Sequence, residues 1–450
     1  MSGRSSGRRP ERPLGDLIAS LSKDQLREVV SVAADASPQV ERTVRLVAAR
    51  VAGDVGELRA EVDRALRTRR FLDYRAGLDW ARGTRPVVRE LERSVDAEPS
   101  RELVDVLERA VAHVVRVILN TDDSSGLIGD VARDLLDLHA KACDAGVADP
   151  VRLARWMFRF RFVDQDFFEA DPVRYAKALG EPGLMEYRTL LSEYDGSEAF
   201  AARHARQRLA VLDGDREEII KQHGGTLAAP YDFIRVAEAM AEIGDDEAVL
   251  EWSKRGIEQT SGWQVAQLYD FACAAHTRRG EPVEVLALRR AEHQRMPSLS
   301  SYSSIREAAL ELSAWPIEQP AARAALEQHD TRGFIEALLG DDDIDLAWEI
   351  ATNTPAETVG QHLWMRLAQR RETQSPADAL TVYQRVADEV LEERADRATY
   401  QTAAKILKTA RNAADAAGMQ NQFHAHLVQL REQYRRRPSL IEILNKAGLS

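Results

Sequence analysis

The sequence predicts an all-α protein: a helical-repeat solenoid in the C-terminal half, preceded by an N-terminal helical module. Three observations carry this. Apolar residues recur at i, i+3, i+4 and i+7 over long stretches, which is the period of one helix face. Tight polar turns recur at a near-constant interval from about residue 196 onward. No stretch shows the period-two alternation of a half-buried strand.

Composition sets the limits. The chain has 450 residues, of which 44% are hydrophobic and 30% charged, and its net charge is −12. That length exceeds one ordinary core, but a solenoid can reach it because each unit packs only on its neighbours. The acidic balance repels nucleic acid and anionic membranes, except where a local basic patch reverses it. Arginine outnumbers lysine 53 to 8, which reads as base composition rather than function. Cys143 and Cys273 are too few for a disulfide framework and too far apart for a CxxC zinc pair. The richest apolar run, Val111 to Leu119, is interrupted by His113 and Arg116 and cannot span a membrane. Residues 1–13 are basic and lack an apolar core, so no signal peptide is expected and a cytoplasmic location is.

The elements follow in order. Residues 1–13, rich in Ser, Gly, Arg and Pro, form a disordered basic tail. Residues 14–53 form a helical hairpin. Ser22 and Gln25 have the spacing of a capping box, and that helix ends before Pro38. The second helix runs through Val44, Leu46 and Val47 toward Gly53. Residues 54–195 form a further helical module. Its clearest helix carries Leu103, Val106, Leu107, Ala110, Val111, Val114, Val117 and Ile118 on one face. The polar run Asn120 to Ser125 breaks it and caps a helix bearing Ile128, Val131, Leu135 and Leu138.

Residues 196–450 form the solenoid. Its turns fall at Asp213-Gly214-Asp215, Gly244-Asp245-Asp246, Arg279-Gly280-Glu281, Trp315-Pro316, Gly340-Asp341-Asp342 and Gln374-Ser375-Pro376. Most of the intervals lie near the 34-residue tetratricopeptide period. Phe233, Val236, Ala237 and Met240 share one helix face; Val265, Leu268, Tyr269, Ala272 and Cys273 share another. Gly256 sits mid-helix, where glycine costs ~1 kcal/mol relative to alanine, so a neighbouring helix is expected to approach it closely beside Trp252.

Several stretches resemble the helical-repeat region that accompanies bacterial SWIM zinc-finger proteins, and an uncharacterised bacterial helical family related to it. They are Leu21 to Leu26 with Ser37-Pro38, Arg64 to Arg75, Asp122 to Asp130, Met296 to Trp315, and Tyr400 to Pro438. The defining CxC…CxH pattern is missing, so the resemblance implies the helical-repeat fold without the zinc.

Each candidate site has a bland alternative. Asp341, Asp343 and Asp345 alternate like the start of a calcium loop, but Leu346 and Thr352 stand where it needs Gly and Glu. Helix capping explains them better. His424 and His426 diverge on a helix and cannot chelate together. His113, His276 and Cys273 read as packed residues. The aromatic run Trp156 to Phe168, interleaved with arginines, reads as core with snorkelling cations, or else as a partner groove. The best basic and aromatic cluster is Arg64, Arg67, Arg69, Arg70, Phe71, Tyr74 and Arg75, which could grip phosphate or stack a base. The alternative is a solvated helix face anchored by the two rings. Arg435, Arg436 and Arg437 lie before Pro438, at what reads as a helix end.

No Walker loop, GxGxxG, HExxH or GxSxG is present, and no cofactor or metal is expected. The leading expectation is a non-catalytic scaffold that binds a protein partner in the solenoid groove. The alternative is a nucleic-acid-associated accessory protein using the Arg64–Arg75 cluster, and the third is an enzyme of unrecognised type.

Overall fold

The computed structural model describes residues 13–68, 70–196 and 199–449. The tail expected at 1–13 lies almost wholly outside the described residues, as does Arg69. The described residues are helical, with no strand among them. An isolated parallel bridge joins Leu72 to Thr121. The fold is all-α and of helical-repeat type.

The chain divides into two compact units, residues 1–223 and 224–450. In the first, helices Leu14–Ala19, Lys23–Ala36 and Pro38–Ala52 lead into Val55–Leu66, Tyr74–Ala97, Arg101–Ile118 and Leu127–Ala142. Pro150–Arg159, Ala176–Ser192, Phe200–Asp213 and Arg216–His223 complete it. The Ser22 capping box forms: the Ser22 side chain accepts from the Gln25 amide, and the Gln25 side chain accepts from the Ser22 amide. Gly53 closes the third helix at φ 68°. The ladder from Leu103 to Val117 is buried along its length, as its period requires.

The helix pair at 200–223 belongs to this unit, because Ala202, Ala205 and Leu209 pack into its core. The pattern that starts near 196 therefore runs across the division between the units, which falls after His223.

The second unit consists of antiparallel pairs. Pro230–Glu242 pairs with Asp246–Gln259, Val265–Arg278 with Pro282–Arg295, and Leu299–Glu311 with Trp315–His329. Thr331–Gly340 pairs with Ile344–Thr352, Gln361–Arg371 with Pro376–Glu393, and Arg397–Ala417 with Gln420–Gln433. Pro438–Lys446 closes the array, with Leu440 and Leu444 buried. Up to Gln420–Gln433 each helix packs on the next and, in several places, on the next but one; the last, Pro438–Lys446, packs on Arg397–Ala417. This is how repeats bury faces that a single pair would leave in water.

Five of the six turns within pairs hold a left-handed residue: Gly244, Gly280, Ser313, Asp342 and Gly418 all have φ between 55° and 75°. Two of them are not glycine, and at Ser313 the sequence reading slips. The turn expected at Trp315-Pro316 lies at Leu312–Ala314, and Trp315 begins the next helix with Pro316 in its first turn. Gly340 ends its helix, and the reversal falls on Asp342. Aspartate tolerates this conformation better than most residues.

Candidate functional site

The first helices of three successive pairs build a groove in the second unit. Leu299–Glu311 supplies Tyr302, Ser303, Arg306, Glu307 and Leu310. Thr331–Gly340 supplies Glu336 and Ala337, and Gln361–Arg371 supplies Arg366. The cavity measures about 490 Å³.

Its floor is fixed by Asp341, in the turn that follows Gly340. The Asp341 side chain is only 4% exposed. Its Oδ2 accepts from the Tyr302 hydroxyl at 2.6 Å, from Gln319 at 3.0 Å and from Arg323 Nη2 at 2.9 Å. Arg323 also donates to Asp343 at 2.9 Å. Arg306 Nε lies 3.1 Å from Asp341 Oδ1, close enough for an ion pair but without hydrogen-bond geometry. Burial pushes the Asp341 carboxyl up, but the Tyr302 hydroxyl and the Arg323 guanidinium outweigh it and hold it below the ordinary value. Higher on the wall, Arg366 donates to Glu336 at 2.7 Å. The groove thus offers Leu310 and the half-buried Leu299 as apolar surface, framed by arginines and glutamates.

The acids at 341–345 neither gather at an ion nor act mainly as caps. Asp341 and Asp343 pair with Arg323, and Asp345 pairs with Arg371 at 2.6 Å. Sequence reasoning missed this network because its members lie 18 to 39 residues apart. The spacing within one helical pair is the only local hint of it.

The Arg64–Arg75 cluster is split by the structure. Arg64 turns back on its own helix to Glu61. Arg67, Arg70 and Arg75 are exposed and make no ion pair among the described residues. Phe71 and Tyr74 do not anchor the segment: they are 72% and 50% exposed. Leu72 anchors it instead. Its amide donates to the Asn120 carbonyl at 3.2 Å, and its carbonyl accepts from the Asp122 amide at 3.1 Å.

Arg435, Arg436 and Arg437 also separate. Arg435 pairs with Glu432 at 2.6 Å. Arg436 and Arg437 line a cavity of about 510 Å³ with Arg397, Tyr400 and Lys446. Pro438 does more than stop a helix: it starts the next one, with Arg437 at the N-cap. A cation there opposes the helix dipole. Arg437 instead donates to the Leu391 carbonyl at 3.0 Å and covers the Tyr434 ring at 4.6 Å.

Several histidines and both cysteines are packed or paired. His113 Nε2 lies 2.8 Å from Asp63, His276 Nδ1 2.6 Å from Glu281, and His426 Nε2 2.9 Å from Asp388. Trp156 stacks on Phe160 and lies against His139, while Phe158 and Phe162 meet Tyr194. His139 is fully buried, with Nδ1 2.8 Å from the Tyr175 hydroxyl and Nε2 3.7 Å from Cys143 Sγ. A cysteine beside a histidine suggests a nucleophile. Burial, however, pushes the Cys143 thiol up to about 12, so it remains a thiol at neutral pH. The same cause pushes Cys273 up to about 11.

No family model matches the chain. No curated protein matches it. Among solved structures it is similar to the pentatricopeptide repeat protein PPR10 from maize, at 14% identity over 97% of this chain and 73% of that one, with a TM-score of 0.33. It is also similar to a circular tandem repeat protein with a novel repeat topology, at 16% identity over 91% of this chain and 97% of that one, with a TM-score of 0.19. At these scores neither likeness bears on what this chain binds.

Proposed function

We propose that the chain is a non-catalytic cytoplasmic scaffold that holds a segment of a protein partner in the groove of its second unit. The observation that carries this is the cavity spanning the first helices of three successive pairs, floored by Asp341. A floor tied by a buried, hydrogen-bonded carboxylate keeps its shape without a ligand, so binding pays little reorganisation. Leu310 and Leu299 suit an apolar side chain, and Arg306, Glu307, Glu336 and Arg366 suit a partner of mixed charge. The resemblance to SWIM-associated helical regions fits an accessory binding role without a zinc finger.

Site-specific photo-crosslinking tests the reading. A photoreactive residue at Glu307 should capture a discrete protein partner in cells, and Leu310→Lys should abolish the capture. A photoreactive residue at Val428, exposed elsewhere in the same unit, serves as the control. Capture at Glu307 no greater than at Val428, or capture indifferent to Leu310→Lys, would overturn it.

A further inference from the structure

We propose that the surface around the clamped Leu72 of the first unit binds single-stranded nucleic acid, with Phe71 and Tyr74 stacking on bases and Arg67, Arg70 and Arg75 holding phosphates. The site is separate from the groove and does not depend on it.

The backbone explains the presentation. Helix Val55–Leu66 ends on a buried leucine, and helix Tyr74–Ala97 begins after Asp73. Between them, Leu72 is turned inward against the core and clamped to residues 120 and 122. An inward Leu72 leaves its neighbour Phe71 facing solvent, and Tyr74 opens the next helix beside it. The same clamp brings in Leu119, which is 60% exposed. Single exposed apolar residues are ordinary. Two aromatic rings and a leucine around one clamped loop are a surface.

Around that surface the carboxylates are engaged and the guanidinium groups are not. The nearby carboxylates already have partners. Glu61 takes Arg64, and Asp63 takes Arg109 and His113. Asp73 accepts from the Ala76 amide, and Asp123 from the Ile128 and Gly129 amides. Arg67, Arg70 and Arg75 have no such partner among the described residues. Three unpaired guanidinium groups leave open donors beside the rings, while Asp73, Asp122 and Asp123 in the same stretch are held by their own local hydrogen bonds. Each guanidinium matches a pair of phosphate oxygens, and an exposed ring matches the face of any base. An acidic peptide would satisfy the arginines but leave both rings unmatched. A duplex would hide its base faces within the stack, so the rings select a single strand.

The test is fluorescence anisotropy of the full chain with a labelled oligothymidylate of about twelve nucleotides in about 50 mM salt. Phe71→Ala/Tyr74→Ala should weaken binding at least ~10-fold, since each stacked base contributes ~1–3 kcal/mol. Arg67→Glu/Arg70→Glu/Arg75→Glu should abolish it. The logarithm of the binding constant should fall with log salt at a slope of about −2, as for three phosphates on a single strand. Both variants should melt like the parent, because the altered side chains are exposed. Absence of binding in low salt would overturn the proposal. So would binding that survives the ring variant, or a glutamate-rich peptide that binds as tightly as the oligonucleotide.

Discussion

Gly256 leaves no room for a side chain beside Phe233. A Cβ at position 256 would sit 2.7 Å from the Phe233 Cβ and 2.6 Å from Leu268 Cδ1. Gly256→Leu should therefore lower the melting midpoint, although leucine is the better helix former by ~1 kcal/mol. Overpacking of this kind costs ~1–3 kcal/mol. Gly256→Ala should also destabilise, because its Cβ alone meets both neighbours.

Trp252 fills the space beside that contact. Its ring lies 6.2 Å from the Phe233 ring, under the Arg255 guanidinium at 4.1 Å. Trp252→Ala should destabilise by about 3–5 kcal/mol, as for a buried large aromatic. Chemical denaturation measures it, and an unchanged midpoint would mean that the two helices of this pair do not pack here.

Asp341→Ala should destabilise the second unit by about 3 kcal/mol, because Tyr302 and Gln319 lose their charged acceptor, while Arg323 keeps Asp343. Tyr302→Phe, which removes one hydrogen bond to a charged acceptor, should cost ~1.5–3 kcal/mol. The pH dependence has a definite sign. The folded Asp341 carboxyl titrates below its unfolded value of ~3.9, so its stabilisation is complete above that value. It is lost as pH falls through the folded value. Acid titration of Asp341→Asn should lack this component.

His139 works in a different window. Burial lowers its pKa, and the carboxylate of Glu108 only partly opposes this. Above the unfolded value of ~6.5 the imidazole is neutral in both states. Below it the unfolded chain takes up a proton that the native site resists, so stability falls. Denaturation free energies measured between about pH 7 and pH 5 should decline less steeply in His139→Gln. An equal slope would mean that the native site accepts the proton.

Neither cysteine should react with a thiol reagent in the native protein, since both are buried with raised thiol pKa values. Both should react once denaturant is added. A native thiol titre above zero would show that one of the two cores opens.

The sequence alone determined what depends on neighbours within a few residues. The Leu103–Val117 face, the Ser22–Gln25 box, the glycine turns at 244 and 280 and the tight spot at Gly256 are all of this kind. Helical periodicity and capping are signals local to the chain, so they can be read in one dimension. The turn at Ser313 escaped, because the left-handed residue there carries no glycine signature. Tertiary structure decided the rest. Which of Phe71, Leu72 and Tyr74 turns inward depends on the clamp to residues 120 and 122, nearly 50 residues away. Asp341 is a buried node only because Tyr302 and Arg323 arrive on two preceding helices. The groove exists only where three first helices lie side by side. A charge or a ring looks the same in sequence whether it faces water or a partner; packing between distant helices settles which.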